Sequence, residues 1–95
     1  DFGYLPDFGW YSSMQLSSQP GYFDDGAIVY PYKWSDYYDY NTFMETLLRY
    51  FNLLELIGYK YVYGDDGIIY MFEGYGLSVV VSIISTTVVV DVKPV

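Results

Sequence analysis

The sequence contains no cysteine and no histidine. Without cysteine there are no disulfide bonds, so a chain of 95 residues must be stabilised by its apolar core. Without histidine, the side chain that most often acts as a base or a metal ligand near neutral pH is absent. Neither a Ser/His/Asp triad nor a Cys/His pair can be assembled. We therefore predict that the protein is not an enzyme and that it needs no cofactor.

Basic residues are scarce. Four Lys and Arg residues stand against twelve Asp and Glu, which gives a net charge of −8. Direct binding to nucleic acid is not expected, because contacts with phosphates require clustered Lys and Arg side chains. An acidic surface of this kind is suited to a basic protein partner, to a cation or simply to solubility.

Long apolar segments are also missing. The longest such stretch, Val79 to Val90, is interrupted by serines and threonines. A membrane helix needs about 20 predominantly apolar residues, so we predict no membrane span.

Aromatic residues, in contrast, are abundant: 14 Tyr, 6 Phe and 2 Trp. Rings of this size bury a large area each, which favours a stable core in a small domain. The excess of Asp over Glu and the many Tyr, Ser, Thr, Val and Gly residues favour an extracellular protein or one on a cell or virion surface.

Two segments differ in character. Residues 1–20 carry a short repeat, Asp1-Phe2-Gly3-Tyr4 followed by Asp7-Phe8-Gly9-Trp10. Gly and Pro6 interrupt regular structure there, while the rings favour burial. We predict an irregular aromatic arm over residues 1–20 and a single domain over residues 21–95.

One amphipathic helix is predicted over residues 42–57. Thr42 and Glu45 match a capping box, and Gly58 is the expected C′ residue. The helical period of 3.6 places one set of apolar side chains on a single face. This face consists of Phe43, Met44, Leu47, Tyr50, Phe51, Leu54 and Ile57.

Two copies of the sequence Asp-Asp-Gly favour tight turns between strands. Asp25-Gly26 and Asp66-Gly67 are typical of two-residue hairpin loops, whose central residues need positive φ. The second turn predicts that Lys60 pairs with Glu73 and that Tyr63 pairs with Tyr70.

The C-terminal segment changes its alternation pattern. Apolar residues occupy odd positions up to Ile83 and even positions from Val88 onward. A hairpin turning at Ser85-Thr86 explains this change, because it pairs Ile83 with Val88, Val81 with Val90 and Val79 with Val92. The alternative is one long bulged strand that projects from the domain and needs a partner.

Tyr63-Gly64-Asp65-Asp66 is similar to the metal-binding acidic pair of template-dependent RNA polymerases. Such a site needs a further carboxylate and a region that grips a template. A chain of 95 residues leaves no room for such a region, and four basic residues cannot clamp phosphates, so the turn is the better interpretation. We predict no metal site, since calcium alone requires six to eight oxygen ligands.

Together these patterns predict an α+β fold, in which one helix packs on an antiparallel sheet of about five or six strands. The preferred function is a structural, surface-exposed subunit that assembles with copies of itself into filaments by adding β-strands. The expected interface comprises Phe2, Phe8, Trp10, Leu48, Leu53, Leu56, Val88, Val90 and Val92.

The alternative function is a small acidic inhibitor, of the kind viruses make, that mimics nucleic acid towards a basic protein. If the chain is a monomer at high concentration and its last strand pairs inside its own sheet, the assembly hypothesis is wrong and the inhibitor becomes the leading hypothesis. Its acidic surface would comprise Asp24, Asp25, Asp36, Asp39, Asp65 and Asp66.

Overall fold

Seven strands form one antiparallel sheet, and both helices pack on the same face of it. The computed structural model describes residues 5–34, 39–65, 68–85 and 87–95. The predicted α+β fold is confirmed. The elements are α1 (Phe8–Ser12), β1 (Gln15–Leu16), β2 (Gly21–Tyr22), β3 (Ile28–Lys33), α2 (Tyr40–Leu56), β4 (Lys60–Asp65), β5 (Ile69–Gly74), β6 (Leu77–Ile84) and β7 (Thr87–Pro94).

The strand order is β1-β3-β7-β6-β5-β4, with β2 also paired to β3. One side of β3 is therefore covered by two strands of two residues each, while β4 forms the other margin of the sheet. No helix in the described ranges combines the length and the hydropathy needed to cross a bilayer.

Helix α2 begins earlier than the capping box predicts. Its N-cap is Asp39, whose carboxylate accepts a hydrogen bond of 2.7 Å from the Thr42 amide. An Asp carboxylate at this position satisfies a free N–H and interacts favourably with the positive end of the helix dipole. The predicted C-terminus is confirmed, because Gly58 has a φ of 117° and its N–H bonds to the carbonyl of Glu55. The Tyr59 N–H bonds to the carbonyl of Leu54, which completes a Schellman motif.

The core lies between α2 and the sheet. Five members of the predicted helix face are buried: Phe43, Leu47, Tyr50, Phe51 and Leu54. From the sheet, every second residue of the central strands faces the helix and is buried, as a strand period of two requires. These residues are Phe72, Val79, Val81, Val88, Val90 and Val92.

The C-terminal segment is a hairpin, and its predicted register is confirmed. Val79 pairs with Val92, Val81 with Val90, and Ile83 with Val88. The alternative of one projecting strand is wrong, because β7 is paired on both sides, with β6 and with β3. At the turn, Ser85 adopts a left-handed φ of 54°, a conformation that serine rarely takes. Thr86, the other predicted turn residue, lies outside the described residues.

The β4–β5 hairpin follows its predicted register only in part. Lys60 pairs with Glu73 as expected, but Tyr63 lies opposite Met71 instead of Tyr70. A β-bulge between Tyr61 and Tyr63 shifts the register by one residue, which transfers every later side chain to the opposite face. Asp66 and Gly67, the predicted turn residues, lie outside the described residues.

Two further predictions about the N-terminal third need correction. Residues 5–20 are not wholly irregular, since Asp7 caps α1 by accepting hydrogen bonds from the amides of Gly9 and Trp10. The β2–β3 loop contains three residues instead of two, because the Phe23 N–H bonds to the carbonyl of Ala27. Within this loop only Gly26 has positive φ. This pattern is typical of three-residue hairpin loops.

Candidate interaction surfaces

Four of the residues predicted for an assembly interface are core residues. Phe8 is 2% exposed and packs edge to face on Tyr32 and Tyr50, at ring-centre distances of 5.2 and 5.0 Å. Val88, Val90 and Val92 are likewise buried. Their assignment to an interface is wrong, because α1 and the β6–β7 hairpin use these side chains inside the chain itself.

The remaining predicted interface residues differ in their exposure to solvent. Trp10 is 84% exposed on the outer side of α1. On α2, Leu48 and Leu56 are exposed, whereas Leu53 is half-buried. Phe2 lies outside the described residues. Exposed leucines on α2 therefore remain available to a partner.

The margin of the sheet at β4 is an apolar surface that the sequence analysis did not identify. All six residues of β4 are exposed, including Tyr61, Val62 and Tyr63. In the described chain β4 pairs only with β5. A strand at a sheet edge directs alternate N–H and C=O groups away from its neighbour, where another strand can bind.

A groove of about 190 Å³ runs beside this edge, between α2 and the sheet. Its floor is aromatic: the ring of Phe51 lies 4.6 Å from that of Tyr70 and 5.1 Å from that of Phe72. Tyr61 closes one side with its ring 5.3 Å from Phe72. The lining residues are Leu48, Phe51, Asn52, Glu55, Tyr61, Tyr70 and Phe72.

The side of the sheet opposite the helices forms a second apolar surface, which we call the open face. It is defined by Val29, Pro31, Ile69, Met71, Val80 and Val89. The strand register places these residues in two adjacent rows that run across the sheet. In one row Met71 lies opposite Val80, and in the other Val89 lies opposite Pro31. They alternate with the buried residues of the same strands and are only half-buried. In the described ranges both helices contribute to the core on the other side.

The predicted acidic surface is used in part for local structure. Asp25 accepts a hydrogen bond of 3.0 Å from the Ala27 amide and pairs with Lys93 at 3.4 Å. The bond from Ala27 lowers the pKa of Asp25, as the bond from the Thr42 amide lowers the pKa of Asp39. Asp24 and Asp65 are exposed. Asp36 and Asp66 lie outside the described residues, and within the described ranges no three carboxylates converge into a possible metal site.

Comparison of the chain with protein-family models, with curated proteins and with solved structures finds no match.

A small cavity of about 110 Å³ lies between residues 5–8 and the sheet. Tyr30, Tyr32 and Tyr50 line it, and the Tyr50 hydroxyl donates a hydrogen bond of 2.6 Å to the carbonyl of Pro6. Burial raises the pKa of Tyr32 to about 12 and also raises those of Tyr30 and Tyr50. These phenols stay protonated at neutral pH, so the cavity offers no phenolate nucleophile.

Asp91 lies within the open face, between Val29 on β3 and Val80 on β6. Burial raises its pKa, with a further contribution from the charge of Asp25 and an opposing one from Lys93. A carboxylate with a raised pKa opposes folding while it is ionised, above its folded-state pKa. The penalty disappears at a pH below the value of the unfolded chain.

We therefore expect Asp91→Asn to raise the melting temperature at pH 7 and to have little effect at pH 3. Asp39→Asn is the matched control of opposite sign, because the pKa of Asp39 is lowered by its role at the helix terminus. That variant should lower the melting temperature at pH 7, and this difference should shrink at pH 3, because the stabilisation is lost as the pH falls through the lowered pKa of the folded state. Thermal unfolding of both variants at the two pH values checks the signs. A lower melting temperature for Asp91→Asn at pH 7 would contradict the assignment.

Proposed function

We propose that this chain is a non-catalytic structural protein that associates with copies of itself by adding strands at the edge of its sheet. The observation that supports this proposal is β4, a six-residue edge strand with every residue exposed. Strand addition there would supply a row of main-chain hydrogen bonds, each of which contributes about 0.5–1.5 kcal/mol net. The site differs from the C-terminal strand that the sequence suggested, since β7 is already paired on both sides.

The groove beside β4 gives the added strand a reason to bind in one register. In strand addition, main-chain bonds provide affinity and pockets for alternate side chains provide specificity. The aromatic floor of Phe51, Tyr70 and Phe72 and the exposed Leu48 suit an apolar side chain. Lys60 and the bulge after Tyr61 discourage pairing with arbitrary strands, because charge and bulges are the features that blunt natural edges.

The opposite edge supplies the complementary partner. There the short strands β1 and β2 expose Leu16 and Tyr22. The two edges are unlike, so pairing one with the other is head to tail and does not close on itself. Association of this kind yields open filaments, as expected for a surface-exposed structural subunit.

Val62→Lys tests the proposal, because it places a charge in the middle of the β4 edge. We expect wild-type protein to form larger particles as its concentration rises, and we expect the variant to weaken this association by about tenfold or more. Val95→Lys is the matched control, since it makes the same change at an exposed residue three strands away from β4. Light scattering and electron microscopy of the three proteins provide the measurement. If Val62→Lys assembles as the wild type does, β4 is not the contact.

The acidic inhibitor remains the second candidate function. The observation in its favour is that carboxylates at Asp24, Asp25, Asp39 and Asp65 are exposed in a chain of net charge −8. If the wild type is monomeric at millimolar concentration, this candidate takes precedence. The inhibitor hypothesis predicts binding to a basic protein. The association rate of that complex should fall steeply as the salt concentration rises from about 50 to 500 mM.

A further inference from the structure

We propose that a second copy of this chain docks on the open face, sheet against sheet. This contact goes beyond edge pairing: it uses a different surface and it would exist even if β4 bound nothing. Two sheets that pack face to face bury the inward side chains of both in a layer about 10 Å thick.

The composition of the open face suits burial. Its two central rows are apolar except for Asp91 in the first and Ser82 and Asp65 in the second. They contribute Val29, Met71, Val80, Val89, Pro31 and Ile69, and the bulge in β4 adds Tyr63 to the first row. Contiguous apolar patches of this extent on a soluble chain mark interaction sites.

The distribution of charge identifies the partner. Asp65, Glu73 and Asp91 lie on the open face together with Lys33, Lys60 and Lys93, according to the register. Asp25 joins them at the rim through its ion pair with Lys93. The face thus carries four acids and three lysines, a net charge of −1, while the other described residues, with five acids and Arg49, carry −4.

This contrast favours a copy of the chain over a basic protein. Two copies repel each other wherever their acidic surfaces meet, but on the open face the charges of both signs balance. A basic partner would be drawn to the remainder of the surface, where the negative charge is concentrated. The face is therefore the surface through which two acidic copies can approach at least electrostatic cost.

The area is sufficient for a stable contact. The seven strands contain 38 residues. At about 3.3 Å per residue and about 4.8 Å between strands, they cover a planar area of roughly 600 Å². Side chains make the accessible area larger than the planar one, so the face approaches the roughly 800 Å² per partner of standard interfaces. Because such a contact between two copies is isologous, one substitution changes it twice.

The test uses the Val62→Lys protein, in which edge pairing is blocked, and compares it with the same protein carrying Val80→Asp. Val80 is in the middle of the open face, between Met71 and Asp91. We expect the first protein to be a dimer in sedimentation equilibrium. We expect Val80→Asp to weaken the dimer by at least about 30-fold, the loss typical of a central interface residue.

Two further variants complete the design. Trp10→Asp, on the helix side, adds the same charge and should leave the dimer unchanged. Val89→Asp, in the neighbouring row, should dissociate it and replaces Val80→Asp if circular dichroism shows that Val80→Asp does not fold. Higher salt should strengthen the dimer, because it screens the repulsion between the acidic surfaces.

The outcomes separate the two proposals. A dimer that is lost in Val80→Asp, with or without an effect of Val62→Lys on larger particles, supports docking on the open face. A monomer in the Val62→Lys protein at millimolar concentration, or a dimer that Val80→Asp and Val89→Asp leave intact, overturns it.

Discussion

Val90→Asp is expected to unfold the protein at 25 °C. Val90 is 2% exposed in the central strand β7, and it pairs with Val81 on β6 and Tyr30 on β3. Val90 lines the cavity beside residues 5–8, where no lining residue is basic, so an ionised carboxylate there would have no counter-charge. Removing a charge from water without such compensation costs several kcal/mol even after relaxation. Small domains have free energies of unfolding of about 5–15 kcal/mol, so this one substitution offsets most of the stability of the fold. Far-UV circular dichroism and calorimetry would show the loss of a cooperative transition.

The neighbouring residue provides the control. Val89→Asp makes the same chemical change one position earlier in β7, but on the open face, where the side chain is half-buried. This variant should remain folded. A folded Val90→Asp protein with altered assembly would mean that the C-terminal strand is an interface after all.

Leu47→Ala is expected to lower the free energy of unfolding by about 2–5 kcal/mol, the range for a buried leucine. Leu47 is fully buried between α2 and the sheet. The substitution removes apolar contacts and leaves a cavity that a close-packed core fills only in part. Chemical denaturation with urea gives the difference directly.

Leu48→Ala is the matched control, because Leu48 is 51% exposed on the same turn of the same helix. Its effect should stay within about 0.5 kcal/mol, as for most surface substitutions. Equal effects of the two variants would show that α2 presents a different face to the sheet.

The features predicted correctly from the sequence are those that follow from a regular period. The helical repeat identified Leu47, Leu54 and the other buried residues of α2. The change from odd to even apolar positions predicted the β6–β7 hairpin with its register. Both patterns arise because one side of each element is buried, so apolar residues recur with the period of that element.

The features missed depend on tertiary structure or on one inserted residue. Nothing local distinguishes Phe8, a core residue, from the exposed Trp10 two positions later. The bulge in β4 has no sequence signature of its own, so Tyr63 was predicted to pair with Tyr70 instead of Met71. The exposed edge of β4 depends on which strand lies at the margin, and strand order is a property of the whole sheet. The candidate interface therefore moved from β7 to β4 once the topology was known.

The bulge in β4 has a consequence for the kinetics of assembly. It separates two tyrosines that strict alternation would keep together: Tyr61 lies beside the groove, and Tyr63 lies in a row of the open face. One strand thus borders both proposed contacts, so a copy bound at the edge and a copy bound at the face would meet near Tyr63. A further copy that binds two copies at once loses its translational entropy only once, although it forms two sets of contacts. Because the face contact is isologous, it joins each copy to one partner only, so the two contacts together give a double filament. Its growth begins slowly and then accelerates, because the first copies lack these paired contacts.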